Sequence, residues 1–204
     1  MKVIEERILL DGKIINNDII KVDNFLNHQI DVKLIKEFAL GVREFFNNVK
    51  VDKVLTIETS GIAIAYAVAE AFDNVPLLFA KKSKSAIVDN NVYVTKIKSF
   101  TRNVNSEVTV AKPYLTKGER ILIVDDFLAE GNAAMGLIDL CQQAGAIPVG
   151  FATVIEKAFQ GGRQRIEQIG VKVFAGASIQ AFVNNKPVFE NKKENYSPSY
   201  STSE

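Results

Sequence analysis

A chain of 204 residues, 47% hydrophobic and 24% charged, has the make-up of one soluble globular domain that folds without disulfides or metal staples. Its 25 basic and 24 acidic residues leave a formal charge of +1, which argues against a nucleic-acid partner recognised through net charge. The lone Cys141 excludes an intramolecular disulfide, and with His28 as sole histidine a zinc cluster or a Ser-His-Asp triad is not expected.

The first residues, Met1 to Arg7, carry Glu5 and Glu6 where a signal peptide would be apolar, and no apolar run reaches the ~18 residues of a membrane span. A cytoplasmic protein without membrane attachment is expected. Residues 31–46 place Leu34, Ile35, Phe38, Val42, Phe45 and Phe46 on one face of a helix, with Asp31 set to cap it. A buried strand follows at 54–57, an alanine-rich helix at 61–72 and a strand at 75–79. Residues 92–97 and 107–111 pattern as a hairpin joined by a long polar connection at 98–106. The apolar run 121–124 is a strand, and 133–143 a helix stopped by Gly145. A strand at 149–155, a helix at 160–169 and a last strand at 171–174 complete the pattern. Short apolar strands alternating with helices predict an α/β fold with a parallel sheet covered on both faces. Residues 191–204, rich in Lys, Ser, Asn and Tyr, have no periodicity and read as a disordered tail.

The segment with the most chemistry runs from Ile121 to Ala134. Four apolar residues lead to Asp125 and Asp126, and the stretch Ala129-Glu130-Gly131-Asn132-Ala133 opens the next helix. Open α/β sheets bind ligands at the carboxyl ends of their strands. Two carboxylates there accept hydrogen bonds from the hydroxyls of a ribose. A small-residue turn at a helix N-terminus brings backbone N–H groups and a partial positive charge to a phosphate. The plain alternative is a polar strand-to-helix turn with Asp126 in solvent. There is no G-x-x-x-x-G-K-[ST] and no G-x-G-x-x-G, so neither a P-loop nor the usual dinucleotide site is present.

This segment resembles the phosphoribosyl pyrophosphate (PRPP) signature of the type I phosphoribosyltransferases. The resemblance implies the fold of that family: a central, mostly parallel sheet flanked by helices, with a small hood and a flexible lid hairpin. It implies that Asp125 and Asp126 hold the ribose and that Ala129, Glu130, Gly131, Asn132 and Ala133 hold the 5-phosphate. Many members carry Thr or Ser in this loop; here mainly backbone donors and Asn132 remain, and Glu130 is expected to point outward.

Three further segments are similar to the members of that family that act on xanthine, and with them the resemblance reaches about Phe189. The stretch from Ile20 to Asp31 is similar to the hood, and by the resemblance Ile20 and Asn27 contact the purine. Read from the residues alone, Asn27 equally caps a turn. In Val154 to Arg163, Lys157 would recognise a purine oxo group and Phe159 would stack on the base; the alternative for Lys157 is a solvated loop lysine. In Ile57 to Ala63, Ser60 and Gly61 match the pyrophosphate loop. The run Ala80-Lys81-Lys82-Ser83-Lys84-Ser85, with Lys81 foremost, would neutralise pyrophosphate, from the same or a partner subunit, or is an exposed charged loop.

The resemblance therefore implies a single domain over residues 1–190, its hood drawn from about 1–30 and 175–190, and residues 98–106 as the lid. It implies a transfer from PRPP to xanthine. Mg²⁺ would be carried mainly by PRPP and pyrophosphate, with no dedicated metal ligands on the chain. A homodimer is implied in the same way. Guanine or hypoxanthine as the base, and a PRPP-sensing regulator of the same fold, are the competing readings. Cys141 and His28 are read as a helix-packing residue and a hood support.

Overall fold

Neighbouring residues of a strand face opposite ways, so a strand buried on both sides is apolar throughout. Residues 121–124 show this plainly: Leu122 and Val124 enter one hydrophobic cluster, Ile121 and Ile123 another. The computed structural model describes residues 1–83, 91–98 and 105–190. Residues 99–104 of the lid expected at 98–106, the end of the basic run at Lys84 and Ser85, and the tail at 191–204 lie outside the described residues.

In chain order the elements are α1 (Lys2–Asp11), β1 (Lys13–Ile15), β2 (Ile19–Lys21), α2 (Val32–Phe45), β3 (Lys53–Ile57), α3 (Gly61–Ala71) and β4 (Leu77–Ser83). They continue with β5 (Val92–Lys98), β6 (Asn105–Ala111), β7 (Arg120–Leu128), α4 (Asn132–Ala144) and β8 (Ile147–Lys157). A short α5 (Gly162–Glu167), β9 (Val173–Val183) and β10 (Lys186–Phe189) end the described chain. One sheet runs in the order β10-β9-β8-β7-β3-β4-β6-β5. Its centre, from β9 to β4, is parallel; β10 on one side and the β5–β6 hairpin on the other are antiparallel.

One face is covered by α1, α2 and α3, through Ile4, Ile8, Phe38, Val42, Ile64 and Val68. The other is covered by α4 and α5, through Leu137, Ile138, Leu140, Cys141 and Ile166. The expected fold class is therefore observed: a mostly parallel sheet flanked by helices.

Helix α2 begins as expected, with Asp31 Oδ1 accepting from the Leu34 N–H at 3.1 Å. Phe45 departs from the expected buried face. It is 50% exposed, lies edge-on against Phe46 and has its ring centre 5.3 Å from that of Phe174. The strand expected at 75–79 starts two residues later and continues to Ser83, because β6 pairs with Lys81, Lys82 and Ser83. Lys81 and Lys82 are thus strand residues and not part of a loop. The expected helix at 160–169 is shortened to α5 by a turn at Ala158–Gln160.

The strand expected to end at 174 runs on to Val183 and turns back into β10. Helix α1 and the β1–β2 hairpin were not expected at all. The two hairpin turns meet: the Asn17 N–H donates to Asn185 Oδ1 at 3.0 Å and the Asn185 N–H to Asn17 Oδ1 at 2.6 Å. Both chain ends thereby build one cap beside the carboxyl end of β8.

Candidate active site

Strand β3 leads through α3 to β4 on one side, whereas β7 lies on the other side of β3 and leads on to β8 and β9. The order reverses between β3 and β7, and the connections there part to opposite faces and leave a crevice. A cleft of about 240 Å³ opens at that point, lined by Glu58, Ser60 and Lys82 from the β3–β4 side and by Asp125 through Ala134 from the β7–α4 side.

Strand β7 extends to Leu128, four residues beyond the expected end, so the acidic pair lies within the strand. Asp125 is 5% exposed. Burial pushes its carboxyl well above the usual carboxylate range, Asp126 beside it adds to this, and Lys82 partly offsets it. The acids are held by their own backbone: Asp125 Oδ1 accepts from the Asp126 N–H and Asp126 Oδ1 from the Phe127 N–H, both at 2.9 Å. Thr153 of β8 donates its hydroxyl to the Asp126 carbonyl at 3.0 Å.

The turn that follows reaches Gly131 at φ 81°, a left-handed conformation that Gly adopts without a Cβ penalty. Helix α4 begins immediately after it with no side-chain cap. The turn is braced from behind by the Gly161–Gly162 corner. The Gly162 N–H donates to the Ala129 carbonyl at 3.1 Å, and a Cβ on Gly162 would lie 2.3 Å from that oxygen. The Glu130 carboxylate accepts from Asn132 Nδ2 at 3.0 Å, so this acid is tied back to its own loop. The same bond engages the amide of Asn132.

Across the cleft, Ser60 precedes α3 and Gly61 begins it. A Cβ on Gly61 would lie 2.2 Å from Thr56 Oγ1 and 3.2 Å from Asp125 Oδ1, so this approach of helix to strand admits only glycine. The Glu58–Thr59 peptide is cis. Glu58 Oε1 accepts from the Lys82 N–H at 2.7 Å and so joins the β3 and β4 ends. Lys82 lines the cleft, whereas Lys81 lies on the other side of β4 with its ammonium 6.0 Å from the Phe79 ring centre.

Of the expected base-contacting residues, Lys157 and Phe159 lie at the carboxyl end of β8. Lys157 donates to the Asp18 carbonyl at 2.8 Å and lies 6.0 Å from the centre of the Phe182 ring. Its partial burial holds the ammonium below the usual lysine range, opposed by the charge of Asp18. Phe159 meets Phe182 edge to face at 5.7 Å. Ile20 is 8% exposed and packs into the core under the β1–β2 hairpin, whereas Asn27 is exposed on the following turn. His28 is exposed beside Asn27, and its backbone N–H closes that turn on the Asp23 carbonyl at 3.2 Å. Behind Lys157, the buried Glu156 is held by Nε and Nη2 of a bidentate Arg163, at 2.8 and 2.7 Å.

The comparisons with known proteins give the family. The phosphoribosyl transferase domain matches residues 21–185. The chain belongs to the phosphoribosyltransferase family. Xanthine phosphoribosyltransferase 1 of Clostridium perfringens is 49% identical over 190 residues, covering 93% of this chain and 100% of that protein. Xanthine phosphoribosyltransferase of Clostridioides difficile is 49% identical over 189 residues, with 93% of this chain covered and 100% of that one. Among solved structures, adenine phosphoribosyltransferase of Giardia lamblia superposes with a TM-score of 0.71 at 20% identity, covering 86% of this chain and 97% of that one. That of Saccharomyces cerevisiae gives 0.68 at 22% identity, covering 86% and 99%. At such identity the superpositions establish the phosphoribosyltransferase fold and nothing about the base.

Sequence reasoning placed Lys82 in the basic run without separating it from Lys81, and passed over Asp18, Phe182, Arg163 and Arg165. The alternation of β4 would have separated Lys82 from Lys81 had the strand been extended past Phe79. The others are brought to the site by packing between distant segments and carry no local signal.

Proposed function

We propose that this phosphoribosyltransferase transfers the 5-phosphoribosyl group of PRPP to xanthine, giving xanthosine 5'-monophosphate and pyrophosphate in purine salvage. The observation that carries the reading is one cleft lined by Asp125, Asp126 and the 129–133 turn together, with Ser60 and Lys82 on its other side. The near-full-length likeness to xanthine phosphoribosyltransferases carries the choice of base.

In this reading Asp125 and Asp126 accept from the ribose hydroxyls, and the N–H groups of Ala129, Glu130, Gly131, Asn132 and Ala133 hold the 5-phosphate. Ser60 and Gly61 hold the pyrophosphate, with Lys82 from the same chain and Lys81 turned outward toward a second subunit of a homodimer. The cap formed by both chain ends is the hood; Ile20 and Phe159 flank the purine, and Asn27 and Lys157 donate to its oxo groups. A lysine donor favours an oxo group and rejects an amino group, itself a donor. The setting is the cytoplasm.

The cleft offers hard carboxylate oxygens from Asp125 and Asp126, a donor set that suits Mg²⁺ carrying substrate phosphates. Mg²⁺ bound with PRPP supplies Lewis-acid stabilisation of the leaving pyrophosphate. As the anomeric C–O bond breaks, positive charge grows on the ribose, and the acidic pair beside it lowers that barrier electrostatically. Fixing the sugar at its phosphate and its hydroxyls supplies the orientation.

Initial rates with xanthine, guanine, hypoxanthine and adenine, each with PRPP and Mg²⁺, test the proposal through pyrophosphate release. Xanthine should give the highest kcat/KM and adenine no turnover. A higher kcat/KM with guanine or hypoxanthine would keep the ribose-phosphate cleft and overturn the base assignment.

A further inference from the structure

The 129–133 turn presents an electrostatic problem. It has no hydroxyl side chains, it opens a helix without a side-chain cap, and it contains an acid, Glu130. A dianionic phosphate would meet that carboxylate unless something holds it aside and fixes the turn with its N–H groups forward. Arg165, on the neighbouring α5, meets both needs. Its Nη1 donates to the Glu130 carbonyl and, at 2.9 Å, to Asn132 Oδ1. The Asn132 amide in turn donates to the Glu130 carboxylate at 3.0 Å. One guanidinium thus anchors the back of the turn at its carbonyl, orients the Asn132 amide, and through that amide draws the Glu130 carboxylate out of the way. The Gly161–Gly162 corner that leads into α5 lies directly against Ala129 and Gly131, so α5 reaches the turn through backbone and side chain together.

We propose that Arg165 is a positioning residue of the phosphate turn: it holds the turn in its anion-accepting conformation without touching substrate. The proposal rests on the assignment of residues 129–133 to the 5-phosphate. Its chemistry is specific to a forked cation. Guanidinium directs N–H groups at two fixed acceptors, whereas an ammonium is a point donor on a flexible stem. Arg165 is exposed, so its replacement leaves the core intact.

The test measures R165A and R165K beside G131A, which alters the turn directly. The probes are steady-state kinetics and inhibition by ribose 5-phosphate and by pyrophosphate, with thermal melting to verify folding. Loss of two charge-assisted hydrogen bonds should raise KM for PRPP and the inhibition constant of ribose 5-phosphate about ten-fold in R165A. The expected change in kcat is under about three-fold, and pyrophosphate inhibition and KM for xanthine should stay put. R165K should recover part of the loss, and added guanidinium should rescue R165A more than R165K. If G131A weakens ribose 5-phosphate and R165A does not, the positioning role falls while the phosphate turn stands. If neither variant weakens it, the assignment of the turn falls, and this proposal with it. A loss in R165A spread equally over PRPP, pyrophosphate and xanthine would mean general loosening and would also overturn the role.

Discussion

Asp125 is placed where folding and chemistry pull in opposite directions. A buried carboxylate beside a second acid is costly to ionise, and the folded state holds its proton to higher pH than the unfolded chain, where the value is about 3.9. The sign follows directly. The folded protein is relatively favoured below the unfolded value, and stability is lost as pH rises through the raised folded one. Asp125→Asn removes that loss, so its melting temperature should exceed that of the parent near neutral pH, and the gap should close as pH falls towards 4. The same variant should lose at least about 100-fold in turnover, because the ribose has lost an ionisable acceptor. Thermal melts across that pH range with one activity assay check both; a variant less stable than the parent at pH 7 would refute the argument. The pair was legible in the sequence because two acids interrupt an apolar strand just before a small-residue turn. Lys82 was hidden because its role depends on which side of β4 it faces, and Arg165 because α5 meets the turn only in three dimensions.

At the scale of elements, the central strands and α2 to α4 could be read because apolar periodicity and local contacts agree. Helix α1 could not. Only Ile4 and Ile8 are buried, while Leu9 and Leu10 are 59% and 78% exposed, so its apolar residues do not form one stripe. The two hairpins did leave a signal that went unread. Asn16-Asn17 and Asn184-Asn185 all have positive φ, between 50° and 54°, a conformation that Asn tolerates and tight hairpins demand. Their reciprocal bonds make the turns one unit. Asn17→Ala and Asn185→Ala should each speed hydrogen exchange in residues 13–21 and 181–189 several-fold, since each loses a bond worth about 1 kcal/mol. The double variant should fall clearly short of the sum if the two turns release each other. Strict additivity would show two independent bonds.

For the whole molecule, alternation of strands and helices was enough to give a parallel sheet, and the sheet's reversal between β3 and β7 then dictates where a ligand goes. What alternation cannot give is the cap, whose halves are separated by 168 positions in sequence. Its halves meet only where the sheet brings its edges together, so the segments at 1–30 and 175–190 are assignable to the hood by resemblance but not by periodicity.

Helix α4 carries a reporter on all of this. Cys141 is fully buried against the sheet, and burial pushes its thiol up to about 12. Both its access and its ionisation are blocked, and thiolate is the reactive form. Being the sole sulfhydryl, it acts as a stopwatch for the opening of the protein: an aromatic disulfide reagent should label it only as fast as α4 lifts from the sheet. Ligands that bind the closed form should slow the clock in proportion to their occupancy. Labelling followed by absorbance, with and without PRPP and Mg²⁺, would read substrate binding with no turnover at all. A rate equal to that of free cysteine would show that α4 is not seated as described.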